Sequence, residues 1–238
     1  MSSQHTVIVG GSSGIGLATA RQLLASGAEV TITGRDETRL ARAKAQLGPT
    51  ARTLRMDAAD ADTLPGLFAE IGPFDHLVLA LGSGKGMGPL ASVSLADVKL
   101  GFEEKVYAHI AAAQAALPHL SPTGSLTFIS AVSAHAAAPG TAGIGAANAA
   151  VAALVPTLAV ELRPQRVNAV SPGVIDTPWW DAVPEAQKQA IFEEYAAKTP
   201  VGRIGRAEDV ANAIAFLIGN DFISGQVIIC DGGLRLTA

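Results

Sequence analysis

The chain has 238 residues, 49% hydrophobic and 16% charged, with a net charge of -4. This composition supplies a large core and excludes a disordered chain, and its scattered basic residues exclude a nucleic-acid surface. The one cysteine, Cys230, excludes an internal disulfide and a cysteine zinc site.

No His/Asp/Glu cluster has metal-ligand spacing, so no metal is expected. No linker or charge run divides the sequence, so a single domain over 1–238 is expected. No basic-then-apolar leader precedes the first strand pattern, which predicts a cytoplasmic protein. The uncharged stretch 136–160 is long enough to span a bilayer. It is Ala- and Gly-rich and carries Asn148 and Pro156, so it reads as a soluble helix buried between subunits, with no membrane involved.

The chain opens with the β-branched run Val7-Ile8-Val9, then Gly10-Gly11-Ser12-Ser13-Gly14-Ile15-Gly16. Strand, glycine turn and helix N-terminus together cradle a dinucleotide pyrophosphate, because free N–H groups and the helix dipole face the phosphates. A helix is expected over 17–26, a strand over 29–33, an amphipathic helix over 37–47 and a strand over 52–56. A helix over 60–71 and an apolar strand over 76–81 follow, then a glycine-rich loop over 82–88.

Next come a long helix over 95–120, a strand over 125–130 and a helix over 145–162 with Pro156 a kink. The remainder reads as a strand over 167–170, a polar helix over 184–197, a helix over 208–218 and a strand over 226–230. Alternating strands and helices imply a parallel sheet covered on both faces.

The spacing Gly10-Gly11-x-x-Gly14-x-Gly16 resembles the cofactor loop of the short-chain dehydrogenases/reductases, as do Asp57-Ala58, the Ser171–Thr177 segment, 200–210 and 224–233. The resemblance covers essentially the whole chain. It implies a single-domain α/β fold, a Rossmann-like doubly wound parallel sheet with helices on both faces. It also implies cofactor contacts from Gly10, Ser12, Ser13, Gly14, Ile15, Gly16, Asp57, Ala58, Gly82, Asn148, Pro172, Gly173, Ile175 and Thr177. It further implies a homodimer or homotetramer paired through 95–120 and 145–162, and a substrate lid at about 177–200. Where NAD-preferring members carry an acid after the second strand, this chain has Gly34 and then Arg35. Arg35 either pairs with a 2′-phosphate or is a solvated surface arginine; the first reading predicts NADP(H) over NAD(H).

The family's acid–base set does not carry over. Its Ser position falls on Ala131, its Tyr on Ile144, its Lys on Asn148 and its helix Asn on Lys105. Ile144 has no ionisable proton, so the family's phenol cannot act here. Three replacements are considered. Ser130 flanks the Ser position. His135 follows the fifth strand, as a general acid or a plain loop histidine. Lys105 is either a desolvated donor or a snorkelling helix lysine. Two functions follow: an oxidoreductase with a non-standard proton donor, moving hydride to or from a small carbonyl, alcohol or activated alkene, or an inactive NADP(H)-binding sensor or partner subunit.

Overall fold

The computed structural model describes residues 4–237. Residues 1–3 and 238, the ends of the domain expected over 1–238, lie outside the described residues. In chain order the elements are β1 (His5–Val9), α1 (Gly14–Ala25), β2 (Glu29–Gly34), α2 (Glu37–Leu47), β3 (Arg52–Arg55), α3 (Leu64–Ile71), β4 (Phe74–Leu79), α4 (Leu95–Phe102), α5 (Ala108–Ala116), β5 (Leu120–Ile129), α6 (Ala142–Glu161), β6 (Arg166–Pro172), β7 (Ile175–Asp176), α7 (Glu185–Lys198), β8 (Gly205–Arg206), α8 (Ala207–Gly219) and β9 (Val227–Cys230).

The main sheet runs β3-β2-β1-β4-β5-β6-β9, and every neighbouring pair in it is parallel. This is the doubly wound Rossmann-like order. The sequence direction reverses between β1 and β4, which opens a crevice at the carboxyl ends of those strands.

Strand alternation builds two cores. Val7, Val9, Leu77 and Leu79 face one side with Phe68 and Phe128. Ile8, Val78 and Ile32 face the other, under Ile214 and Leu217 of α8. A parallel strand buried on both faces must be apolar at every position, which is why β1 and β4 read as continuous hydrophobic runs.

Several boundaries differ from expectation for local reasons. The helix expected from 60 begins at Leu64, with Pro65 in its first turn, where a missing N–H leaves nothing unsatisfied. Residues before it form turns tied by Ala59 N donating to Asp57 Oδ1 at 3.1 Å. The long helix expected over 95–120 ends at Ala116 in a tight turn holding Pro118, and Leu120 already belongs to β5. It is also interrupted: residues Glu103–Tyr107 form a π-helical turn between α4 and α5. Such a turn carries one residue more than an α turn and recurs at functional sites. The helix expected from 145 starts at Ala142 and runs through Pro156 to Glu161.

Candidate active site

The glycine turn after β1 is shaped by close backbone approach. Gly10 has φ +83°, and a Cβ there would lie 2.5 Å from the Ala80 carbonyl oxygen after β4. A Cβ on Gly16 would collide with the Gly10 carbonyl. The N–H groups of Gly10 and Gly11 both donate to Thr33 O, at 3.0 Å each, which pins the turn to β2. Ser13 caps α1 without spending its side chain on the helix, so its hydroxyl is available to a ligand. A cradle that admits no Cβ, at a helix N-terminus, suits a pyrophosphate.

Two cavities meet at this turn. One, about 380 Å³, lies on the β2–β3 side and is lined by Ser12, Ser13, Arg35, Arg39, Asp57 and Ala58, among others. The other, about 440 Å³, lies on the β5–β6 side. Gly10, Ser13 and Gly82 border both. Gly14, Ile15, Gly16, Asn148, Pro172, Gly173, Ile175 and Thr177 line the second. Every residue expected at the cofactor therefore borders this paired cleft.

Arg39, in the first turn of α2, borders both cavities and was not expected there; Arg35 borders only the first, from the bend before the helix. Asp36 also lies here, but its carboxylate is engaged: Arg39 N donates to Oδ1 at 2.9 Å, and the Arg39 guanidinium sits 3.9 Å from Oδ2. A Cβ at position 34 would meet Ser12 Oγ at 2.8 Å, so an acid there would require the Ser12 hydroxyl to move aside.

The second cavity has more apolar than polar lining, and its polar side chains include Ser130, Ser133, Thr141, Asn148 and Lys105. Asn148 is 3% exposed. Its Nδ2 donates to Ile144 O at 3.0 Å and Ser133 Oγ at 3.2 Å, while its buried Oδ1 has no partner among the described residues. A buried acceptor left open is costly unless a ligand donates to it, and a ribose hydroxyl is such a donor. Ser130 borders the cavity, but its hydroxyl donates to Asn148 O at 2.8 Å, inside the helix contact. Ala131 and Ile144 line the wall with no titratable group.

Lys105 sits in the π turn, 6% exposed, and its Nζ reaches the cavity and donates to Leu81 O at 2.8 Å. It has no acidic partner among the described residues. Burial pushes its ammonium down to about 7, where amine and ammonium are both populated at neutral pH. One turn on, fully buried His109 packs its ring on Phe128, with centroids 5.7 Å apart.

The structure does not bring His135 to the cleft. It is exposed at the end of a short helical turn, while its neighbour Ala136 lines the cavity. Lys85, in the loop after β4, pairs with Asp97 at 3.6 Å and lines neither cavity.

The lid expected at about 177–200 comprises the turn Pro178–Trp180 and α7. Thr177 approaches Gly14, and Trp179 lies over Gly82 and Gly84. Trp180 Nε1 donates to Ile175 O at 3.0 Å, and its ring meets Trp179 and Phe192 edge-on at 4.7 and 5.4 Å. Tyr195 of α7 also lines the second cavity.

Residues 9–235 match the profile of the family described as Enoyl-(Acyl carrier protein) reductase. The chain is 34% identical to cis-4-hydroxycyclohexanecarboxylate dehydrogenase of Sinomonas cyclohexanicum, over 95% of this chain and 94% of that protein. It is 32% identical to short-chain dehydrogenase/reductase ATR9 of Stachybotrys chlorohalonatus, covering 98% and 97% of the two chains.

The chain is a short-chain dehydrogenase/reductase.

The solved structures agree. A small-chain dehydrogenase crystallised in complex with NADPH superposes with a TM-score of 0.87, at 32% identity, over 98% of this chain and 99% of that one. Within the short-chain dehydrogenase/reductase fold, this member has the glycine turn after β1. Its second cavity carries Ala131 and Ile144, with Lys105 on the π turn and Asn148 on α6.

Proposed function

We propose that this short-chain dehydrogenase/reductase is an NADP(H)-dependent oxidoreductase that moves hydride to or from a small apolar carbonyl, alcohol or activated alkene, with Lys105 supplying the proton. The observation that carries this reading is the lone buried amine of Lys105 at the cavity floor. A cation without a counter-ion is expensive to bury, and a group held near neutrality is suited to proton transfer.

The bound nicotinamide cofactor would supply the hydride. The chain's residues do the rest. Gly10 to Gly16 would hold the pyrophosphate, Asp57 and Ala58 would border the adenine, and Asn148 Oδ1 would accept from a ribose hydroxyl. Arg35 and Arg39 would pair with a 2′-phosphate, which supports NADP(H) over NAD(H). In the reducing direction Lys105 gives up its ammonium proton to the substrate oxygen and regains one from water.

Loss of the family's Ser and Tyr at Ala131 and Ile144 favours a second reading, an inactive NADP(H)-binding sensor or partner subunit. Calorimetric titration with NADPH and NADH, beside Arg35→Ala, tests the shared claim. Tight NADPH binding, weak NADH binding and loss of that difference in the variant are expected. Equal affinities would remove the preference. Transfer of deuteride from labelled NADPH to a carbonyl panel, abolished in Lys105→Met, separates the two readings. No transfer to any substrate with tight binding selects the sensor.

A further inference from the structure

Ile144 leaves the α6 side of the cavity without a phenol, yet the cavity has one. Of the chain's two tyrosines, Tyr107 is 60% exposed, whereas Tyr195 borders the second cavity from α7. The Tyr195 hydroxyl makes no hydrogen bond to the described residues. We propose that Tyr195 donates the hydrogen bond that holds the substrate oxygen, and that the substrate is a small apolar ring ketone or alcohol. This rests on the hydride-transfer reading above and assigns a group that the sequence, by its spacing, set aside.

The end of α7 is anchored as a presenting element must be. The Tyr195 carbonyl accepts from Thr199 N at 2.9 Å and Thr199 Oγ1 at 2.7 Å, and Thr199 is buried. Thr237 Oγ1 donates to Lys198 O at 2.6 Å, tying this turn to the C-terminal segment. The Lys198 ammonium is paired with Glu194 at 2.6 Å and lies 5.7 Å from the Tyr195 ring centroid. These contacts fix the backbone that carries Tyr195, which lowers the ordering cost of presenting its ring to the cavity.

The walls set the ligand class. Trp179, Trp180, Met87, Val132 and Ile144 line the same cavity as Tyr195, and no carboxylate lines it. The flat Trp179 and Trp180 side chains favour a ring, and the missing carboxylate disfavours a cation. The steps balance as follows. In reduction the carbonyl carbon accepts hydride, its π pair moves onto oxygen, and Lys105 transfers an N–H proton to that oxygen and becomes neutral. Tyr195 keeps its proton throughout. Its hydrogen bond strengthens as charge grows on oxygen.

Trp179 and Trp180 are the chain's only tryptophans and both line the cavity, so intrinsic fluorescence reads occupancy. The test titrates NADP⁺-saturated protein, which cannot reduce a ketone, with cyclohexanone and with methylenecyclohexane. The second probe keeps the ring and replaces oxygen by CH₂. Tyr195→Phe should weaken cyclohexanone about tenfold, the worth of one hydrogen bond, and leave methylenecyclohexane unchanged. Equal weakening of both probes would make Tyr195 a mere wall and overturn the proposal. So would no effect on either, or a wild-type protein that binds neither probe. Lys105→Met, which removes the other donor to this oxygen, should also weaken cyclohexanone and spare methylenecyclohexane. If that variant also keeps hydride transfer, the Lys105 reading falls while Tyr195 stands. If NADP⁺ itself does not bind, the cofactor reading falls, and the same pair of probes without cofactor still decides on Tyr195.

Discussion

The backbone carbonyl of Lys105 lies 2.6 Å from Nδ1 of His109, one helical turn further on, and Nε2 of the same ring lies 3.2 Å from Leu79 O. Both ring nitrogens thus face carbonyl oxygens. A neutral imidazole has one N–H and satisfies only one of them, while burial and the nearby Lys105 charge push the ring down to about 3. His109 therefore ties the π turn to β4 as a neutral ring and leaves Lys105 as the group that titrates in the cleft.

Lys105 sets a stability signature. Its folded value of about 7 lies below the ordinary 10.5, so between those pH values the unfolded chain binds more protons. Stability of the cofactor-free protein should rise with pH across that window, by up to roughly 5 kcal/mol. Lys105→Met should be more stable than the parent, with a larger gain at pH 6 than at pH 9. Urea unfolding at both values measures this, and a pH-independent gain would count against a buried amine.

Acid should act through His76. Burial holds it at about 4, below 6.5, with Nδ1 2.8 Å from Ser125 Oγ and Nε2 unpartnered. Below 6.5 the unfolded chain binds the proton first, so stability should fall as pH drops from 6.5 toward 4, by roughly 3 kcal/mol from this ring. His109, held at about 3, contributes over the same window, so His76→Gln should roughly halve the slope of that part of the stability–pH curve. An unchanged acid limb would assign the loss to other groups.

At the cradle, Gly10→Ala should abolish cofactor binding, because it sets a Cβ against Ala80 O at a φ of +83°. Gly27→Ala, also at positive φ (+88°) but with nothing within 4 Å of the added Cβ, should show strain alone. Calorimetry with NADPH and thermal melts of both variants separate steric blockage of the ligand from ordinary backbone strain.

Assembly is expected to use α6. Ala146, Ala149 and Val160 are exposed on this apolar helix, and Tyr107 is exposed in the π turn of the other helix expected to pair. A homodimer or homotetramer would cover them. Ala149→Arg should reduce the mass seen by light scattering at micromolar concentration, and a parent protein already monomeric would remove this expectation.

Much of the fold was legible because it is written locally. Val7-Ile8-Val9 followed by glycines specifies strand, turn and helix within about ten residues, and β4 is apolar at nearly every position. The π turn was not legible. Nothing in Glu103–Tyr107 marks an extra residue, since its register depends on how α5 packs against the sheet. Arg39 was hidden as one charge of an amphipathic helix. Tyr195 stands in the stretch expected to form the lid, but nothing in the sequence showed that α7 brings it to the second cavity.

The π turn has a consequence for how this helix tolerates change. The extra residue is taken up within one wide turn, so the segments on either side keep the phase of an uninterrupted helix. Deleting one residue from Glu103–Tyr107 would therefore restore regular winding and leave Ala108, Ala112 and Ala116 in the core. What would change is the wide turn itself, and with it the place from which Lys105 enters the cleft. The added residue re-aims one side chain while the rod on either side of it stays where it was.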